Sequence, residues 1–337
     1  EPGTVATPFD PFADDDEDDD WPTGSSSSGT TTPVDPSAES HRRALDTFRA
    51  RRGRARQGRT VADGMVQLPF IPPTDPLDAV MSPEKIAATG KPTPTLTPGD
   101  LVAGQYEIAG PIAHGGLGWI YLAKDHNVSD RWVVLKGMMA SSNERDLAVV
   151  QAEREFLAEI THPGIVKIIN FVEPSDGETG FIVMEYVGGP SLRQRRRAQP
   201  DGVMPVDIAI GYVLELLPAL DYLHSRGVVY NDLKPDNVLI TEDQVKLIDV
   251  GAVTGIGAYG HIYGTPGFQA PEVGRTGPTV ASDIYTVGRT LASLITDLPA
   301  TNGVYDPGLP TPMEEPMFRR YLSLYRLLLR ACNEDPD

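Results

Sequence analysis

The sequence predicts an α+β chain in which antiparallel strands come first and helices follow, behind an N-terminal stretch that does not fold alone. Three observations point to this. Residues 102–137 alternate apolar and polar positions on both sides of a glycine cluster, the pattern of a hairpin and a further strand. Residues 145–160 and 206–224 carry apolar side chains at helical spacing. Charge runs and Ser/Thr/Gly/Pro tracts dominate the first sixty residues. A length of 337 residues allows two or three domains, but so uneven a composition lets the folded core occupy only part of the chain.

In the N-terminal stretch, Glu1, Asp10 and the run Asp14–Asp20 give nine acidic residues and no Lys or Arg, half of the formal net charge of −18. Like charges with few apolar neighbours repel and bury too little surface to fold. This segment reads either as a solvated acidic tail or as a docking and phosphorylation tail. "GSSSSGTTTPVDPS" follows as linker, and an arginine-rich stretch then runs from Arg42 to Arg59. Its lack of interleaved aromatics, and the acidic block available to neutralise it, argue against nucleic acid as a partner. No apolar run reaches eighteen residues and no signal segment opens the chain, so neither membrane insertion nor export is expected, and the location expected is cytoplasmic. The single cysteine, Cys332, excludes an internal disulfide and a four-cysteine zinc site. A start at Glu1 suggests a processed or excised chain.

In "GQYEIAGPIAHGGLGWIYLAKD" two strands flank a tip containing Gly115, Gly116 and Gly118, whose backbone amides are free of side chains and can approach phosphates; many hairpins use glycine merely to turn. "RWVVLKGMM" is a third strand ending near Lys136. In the helix of 145–160, Glu153 falls in the stripe of Val149, Val150, Phe156, Leu157 and Ile160. An inward carboxylate needs a partner, and Lys136 is available; a rotated helix would instead leave Glu153 exposed beside Arg154. "GFIVMEYVGG" is a strand ending in paired glycines, and the helix of about Val206 to His224 contains Pro218, which should bend it. "VVYNDLKPDNVLI" sets Asn231, Asp232, Lys234, Asp236 and Asn237 between two apolar runs, and "QVKLIDVG" ends a strand with Asp249 at a turn, where it can reach a phosphate-bound metal.

Gly115 with Gly118, Lys136, Glu153, Asp232 with Asn237, Asp249-Val250-Gly251 and Ala270-Pro271-Glu272 together resemble, in order and spacing, the signature set of eukaryotic-type protein kinases. The details "AHGGLGWIYLA", "YNDLKP" and "GTPGFQAPE", with "DGMVQLPFIPPTDPLDAVM" upstream, resemble the soluble actinobacterial protein kinase G branch. The resemblance implies a bilobal protein-kinase fold, with an antiparallel-sheet N-lobe bearing one regulatory helix and a mainly helical C-lobe. The expected layout is a disordered tail over 1–64, a linker or docking segment over 65–99, the N-lobe over 100–187 and a C-lobe over 188–337 that is cut short.

The same resemblance implies serine/threonine kinase activity with ATP and Mg²⁺ (or Mn²⁺). Lys136 would hold the phosphates while paired to Glu153, Asp232 would take or orient the substrate proton, and Lys234 with Thr265 would assist. Asn237 and Asp249 would hold the metal ions. Ala113, Gly115, Gly116, Gly118, Ile120 and Lys136 would line the nucleotide, and Glu185 and Val187 would offer backbone groups to adenine beyond Met184. Phosphoryl transfer calls for charge neutralisation and positioning, for which this set is a sufficient minimum.

Four departures bear on regulation. Ala113 stands at the first glycine of the phosphate loop, with His114 next; Asn231 replaces the arginine before the catalytic aspartate, so activation-loop phosphorylation should be dispensable; Val250 replaces the phenylalanine of the metal-binding triplet. The branch's two-CxxC rubredoxin-like module and tetratricopeptide-repeat domain are not expected in this stretch, nor is an iron or zinc site, and Glu272 is expected to be without the arginine that the resemblance would pair with it. Such a chain is either shortened by design or a naturally short homologue. Thr4, Thr7 and Thr30–Thr32 lie on the acidic tail, where phosphothreonine would recruit a forkhead-associated (FHA) domain. The resemblance implies an FHA-domain regulator of 2-oxoglutarate and glutamate metabolism as substrate. Two other readings stay open: a pseudokinase or nucleotide-regulated docking scaffold, and a small-molecule phosphotransferase, to which "GTPGFQAPE" would be superfluous. "VQLPFIPP" either packs back on the folded part or runs as extended linker.

Overall fold

The computed structural model describes residues 59–333, apart from 63, 117, 139–156, 174–179 and 259–263. It opens with a hairpin of β1 (Arg59–Val61) and β2 (Val66–Leu68), Arg59 lying opposite Leu68. A strand at Arg59 corrects the expectation of a disordered tail through residue 64. Val66 and Leu68 are buried and Gln67 between them is exposed, the period-2 signature of a strand with one covered face. A 3-10 turn (Pro76–Ala79) and the short helix α1 (Pro83–Ala88) follow; Ser82 caps α1 by accepting from Lys85 N, with proline at its first position.

The next strands are β3 (Leu101–Val102), β4 (Tyr106–Gly115), β5 (Gly118–Asp125), β6 (Arg131–Gly137), β7 (Ile168–Val172) and β8 (Phe181–Glu185). They form one sheet in the order β3-β4-β5-β6-β8-β7, with every neighbouring pair antiparallel. One face carries a core of Tyr106, Ile108, Trp119, Tyr121, Val133, Leu135 and neighbours, against which Met81, Ile86 and Leu96 also pack. The segment 80–100 is thus laid on the sheet: Met81 N donates to Pro111 O at 2.8 Å and Gly99 N to Ile108 O at 2.8 Å. Gly110 permits this, since a Cβ there would come within 2.6 Å of Val80 Cγ1.

Beyond the sheet come α2 (Leu192–Arg197), α3 (Val206–His224), β9 (Val228–Val229), β10 (Val238–Ile240), β11 (Val245–Leu247), β12 (Thr254–Gly255) and α4 (Val273–Thr276). The chain continues through α5 (Val280–Ile295), β13 (Ala300–Thr301), β14 (Val304–Tyr305), α6 (Pro316–Arg320) and α7 (Leu322–Ala331). The bounds of α3 match its periodicity, and the helix continues through Pro218. Of the helix expected over 145–160, residues 157–160 are described; 157–159 are helical and Ile160 lies just beyond the helix, buried.

The helical part holds the larger core, which includes Leu68 and Ile71 from the N-terminal segment beside Leu216, Leu220, Leu233 and Leu291. The hairpin β1–β2 sits on α3 at Gly211, where a Cβ would meet Leu68 Cδ2 at 2.9 Å and Val66 Cγ1 at 3.1 Å. Arg59 closes the contact with a two-pronged pair to Glu215, Nε to Oε1 at 2.8 Å and Nη2 to Oε2 at 2.6 Å. A bidentate, largely buried pair of this kind is stronger and more directional than a surface ion pair. "VQLPFIPP" therefore packs on the folded body rather than running free.

Candidate functional site

Antiparallel pairing carries Lys136 on β6 between Ile120 on β5 and Ile182 on β8. Its Nζ donates to Asp249 Oδ1 at 2.5 Å. Asp249 follows β11, and β10 pairs with β11 so that Val238 faces Leu247 and Ile248 N donates to Asn237 O at 3.0 Å. That short hairpin is what brings Asn237 alongside Asp249. Burial acts to raise the Asp249 carboxyl, but the charge and hydrogen bond of Lys136, the Gly251 amide and the more distant Lys234 outweigh it and hold the group below the usual carboxylate range. At Gly251 a Cβ would press to 3.2 Å from Asp249 Oδ1 and 3.4 Å from Lys136 Nζ, so the backbone here lies close against the pair. Glu153, the partner expected for Lys136, lies outside the described residues.

The segment 230–237 is held from beneath by Asp283, a fully buried carboxylate in the first turn of α5. It accepts from Tyr230 N at 2.8 Å, Asn231 N at 2.7 Å and His224 Nε2 at 2.7 Å. Asn231 has a φ of 66°, a left-handed conformation that asparagine adopts more readily than most residues, which explains its fitness for the position before Asp232. Tyr230 is entirely buried; burial, then the charges of Asp249 and Asp232, push its hydroxyl well above the usual phenol range.

Three side chains converge on Asp232 through four hydrogen bonds. Lys234 Nζ donates to its Oδ2 at 2.9 Å, Asn237 Nδ2 to its Oδ2 at 2.9 Å and its main-chain O at 2.8 Å, and Thr265 Oγ1 to its Oδ1 at 2.6 Å. Lys234 Nζ also reaches Thr265 Oγ1 at 2.5 Å. The carboxylate is thereby fixed in orientation and remains an acceptor. Asn237 commits its amide nitrogen to Asp232, so its Oδ1 is the atom left for a cation. That oxygen and the Asp249 carboxylate, whose side chain is 34% exposed, are hard donors of the kind Mg²⁺ or Mn²⁺ takes, completed by phosphates and water. Among the described residues no cluster of three or more His, Cys, Asp or Glu has metal-binding geometry.

The glycine tip is a tight turn: Gly115 pairs with Gly118, His114 with Trp119 and Ala113 with Ile120. Gly118 has a φ of +115° that side-chain-bearing residues rarely adopt, and no atom would lie within 4 Å of a Cβ at Gly116. His114 packs edge-on against Trp119 at 5.0 Å, while Trp119 Nε1 donates to Pro92 O at 2.7 Å. At the end of β8, Glu185 N donates to Lys167 O at 2.9 Å and its carboxylate pairs with Lys246 at 2.6 Å. Residues 71–74 lie along Glu185–Gly189, and with Lys246 they line a cavity of about 310 Å³.

The structure thus brings Lys136, Asp249, Asn237, Asp232, Lys234 and Thr265 into one connected region with Ile120 opposite Lys136. Asp283 and Arg289 escaped the sequence reading. Their signal was two charged residues within an otherwise apolar-patterned helix opened by a capping box of Thr279 and Ser282.

The family model for the protein kinase domain matches residues 106–306. This chain belongs to the protein kinase domain family. It is 52% identical over 313 residues to the serine/threonine-protein kinase PknG of Mycolicibacterium smegmatis, covering 82% of this chain and 40% of that protein. It is 59% identical over 246 residues to the PknG of Mycobacterium leprae, covering 72% and 32% respectively. The chain therefore spans well under half the length of these relatives. The crystal structure of the Mycobacterium tuberculosis PknI kinase domain superposes with a TM-score of 0.58 at 26% identity, over 72% of this chain and 93% of that one. Among the described residues no helix is long and apolar enough to cross a membrane.

Proposed function

We propose that this chain is a serine/threonine protein kinase that moves the γ-phosphoryl group of ATP onto a hydroxyl of a protein substrate. The observation that carries the reading is the Asp232 carboxylate, oriented by Lys234, Asn237 and Thr265 beside the Lys136–Asp249 pair. In this reading Asp232 accepts the substrate hydroxyl's proton as its oxygen bonds to the γ-phosphorus, and ADP departs with the bridging oxygen. Lys234 offsets negative charge on the moving phosphoryl group. Lys136 exchanges Asp249 for ATP phosphates and takes Glu153 as its partner in the closed state. Asn237 and Asp249 would hold Mg²⁺ or Mn²⁺, which when bound neutralises phosphate charge. The backbone of Ala113, Gly115, Gly116 and Gly118 covers the phosphates, Ile120 packs on the nucleoside, and Glu185 and Val187 present main-chain groups to adenine.

Asn231 supports independence from activation-loop phosphorylation, because its amide is fixed by Asp283 and its side chain carries no cation for a phosphate to neutralise. We extend the proposal to autophosphorylation of Thr4, Thr7 or Thr30–Thr32, recruitment of an FHA-domain regulator of 2-oxoglutarate and glutamate metabolism, and a cytoplasmic location. The resemblance of the whole site segment to the PknG relatives supports this extension.

The deciding experiment is phosphate transfer from ATP to a threonine peptide, with Asp232→Asn and Lys136→Met as controls. Transfer lost in both variants supports the reading. Nucleotide binding by calorimetry without transfer overturns it in favour of a nucleotide-regulated scaffold. Intact mass after incubation with ATP and Mg²⁺ checks the tail: no phosphate before residue 60 removes the recruitment step.

A further inference from the structure

Arg289 lies on α5 with 1% of its surface exposed, and among the described residues no carboxylate pairs with it. Its guanidinium instead spends its donors on main-chain carbonyls from two separate segments. Nε donates to Gly267 O at 2.8 Å, Nη2 to Asp306 O at 2.8 Å, and Nη1 to Gly308 O. A buried cation without a carboxylate is expensive unless its hydrogen bonds are fully used, so this arrangement is retained against a desolvation penalty.

What it clips together is informative. Gly267 belongs to the turn 265–269, closed by Phe268 N and Gln269 N donating to Thr265 O at 3.0 and 3.1 Å. Thr265 is the residue whose hydroxyl touches Asp232. On its other side the turn is pressed against the β13–β14 hairpin: Gly267 has a φ of +85°, and a Cβ there would fall 2.9 Å from Tyr305 N and 3.0 Å from Tyr305 O. Phe268 meets the Tyr305 ring edge-on at 5.4 Å. A rigid path therefore runs from Arg289 through Gly267 to Thr265 and Asp232.

We propose that Arg289 is a positioning residue for the polypeptide substrate: it fixes the 264–270 segment against the 304–308 loop, so that an incoming serine or threonine is presented to Asp232 without prior phosphorylation of the activation loop. The inference rests on the kinase reading above and adds the device that replaces the missing phosphate-responsive arginine. Because the anchor is a permanent charge bonded to main-chain carbonyls, it depends on neither a modification nor a side-chain partner.

The test is Arg289→Met, which keeps the length of the stem and removes the donors. In folded protein, the peptide KM is expected to rise at least tenfold while affinity for an ATP analogue changes less than twofold, and amide exchange at Phe268 and Gln269 should accelerate at least tenfold. Arg289→Lys, retaining one donor group, should recover part of the peptide KM. Gly267→Ala should reproduce the Arg289→Met signature by pushing the turn off Tyr305 with Arg289 intact, and it decides the matter with Arg289→Lys if Arg289→Met does not fold. An unchanged peptide KM in these variants, or parallel losses of peptide and nucleotide affinity, overturns the proposal. The exchange measurement needs no turnover. A wild-type protein that transfers no phosphate thus refutes the kinase reading separately, and unaltered exchange in Arg289→Met refutes the anchor itself.

Discussion

Two segments of the site are fixed from the same helix by buried charges of opposite sign. Asp283, in the first turn of α5, accepts from the amides of Tyr230 and Asn231; Arg289, about a turn and a half further on, donates to the carbonyls of Gly267, Asp306 and Gly308. The sign follows from which main-chain groups each segment turns inward. A strand end entering a left-handed residue offers N–H groups, and a turn pressed on a hairpin offers carbonyls. Each anchor satisfies groups that would otherwise be buried unpaired. The two anchored segments meet at the Thr265–Asp232 hydrogen bond, so one helix sets the geometry of a contact whose residues come from loops.

The largest break in this arrangement is at the meeting point. Asp232→Asn should lower peptide phosphorylation by about 10²–10⁴-fold, the usual worth of a positioned general base, while the urea midpoint moves little. Retention of full activity would remove Asp232 from the chemistry. Next is Asp283→Ala, which strands two main-chain amides and the His224 donor; a loss of about 3–5 kcal/mol in urea unfolding is expected, accompanied by lower activity. A loss below about 1 kcal/mol would show that water replaces the carboxylate.

A smaller effect separates these anchors from the attachment of the N-terminal hairpin. Gly211→Ala places a methyl against Leu68 and Val66 and should cost about 1–3 kcal/mol, with little change in turnover. Smaller again is a pH effect. The Asp249 carboxyl lies lower in the folded than in the unfolded protein, so its contribution is fully present above about pH 4, the ordinary aspartate value, and is lost as pH falls through the folded-state value. Lys136→Met should shrink that acid-dependent part of the unfolding midpoint below about pH 4; an unchanged pH profile would deny the pairing. Least consequential is Cys332, whose thiol burial pushes up to about 12. It should resist alkylation at about pH 8 in native protein and react only on unfolding.

Much of this was legible in the residues. Alternation on both sides of "HGGLG" and the apolar period of 206–224 correspond to β4, β5 and α3, because those patterns report which face a strand or helix buries. Asp232, Lys234, Asn237 and Asp249 stood out because polar residues between apolar runs have few reasons other than chemistry to be there. The order of signature residues led to the protein kinase family, which the match over 106–306 bears out.

Other features needed the assembled molecule. Nothing in "RTVADGMVQL" announces that Arg59 will find Glu215, 156 positions away, or that Gly211 leaves the socket for Leu68. Asp283 and Arg289 look alike in sequence, as charged residues on a helix that could as well face water. The sequence by itself determined the main elements and singled out the candidate site side chains, since both depend on local period and residue chemistry. Only the tertiary structure decided which buried charge holds which loop, because that depends on whether an N–H or a carbonyl is turned inward from a segment distant along the chain.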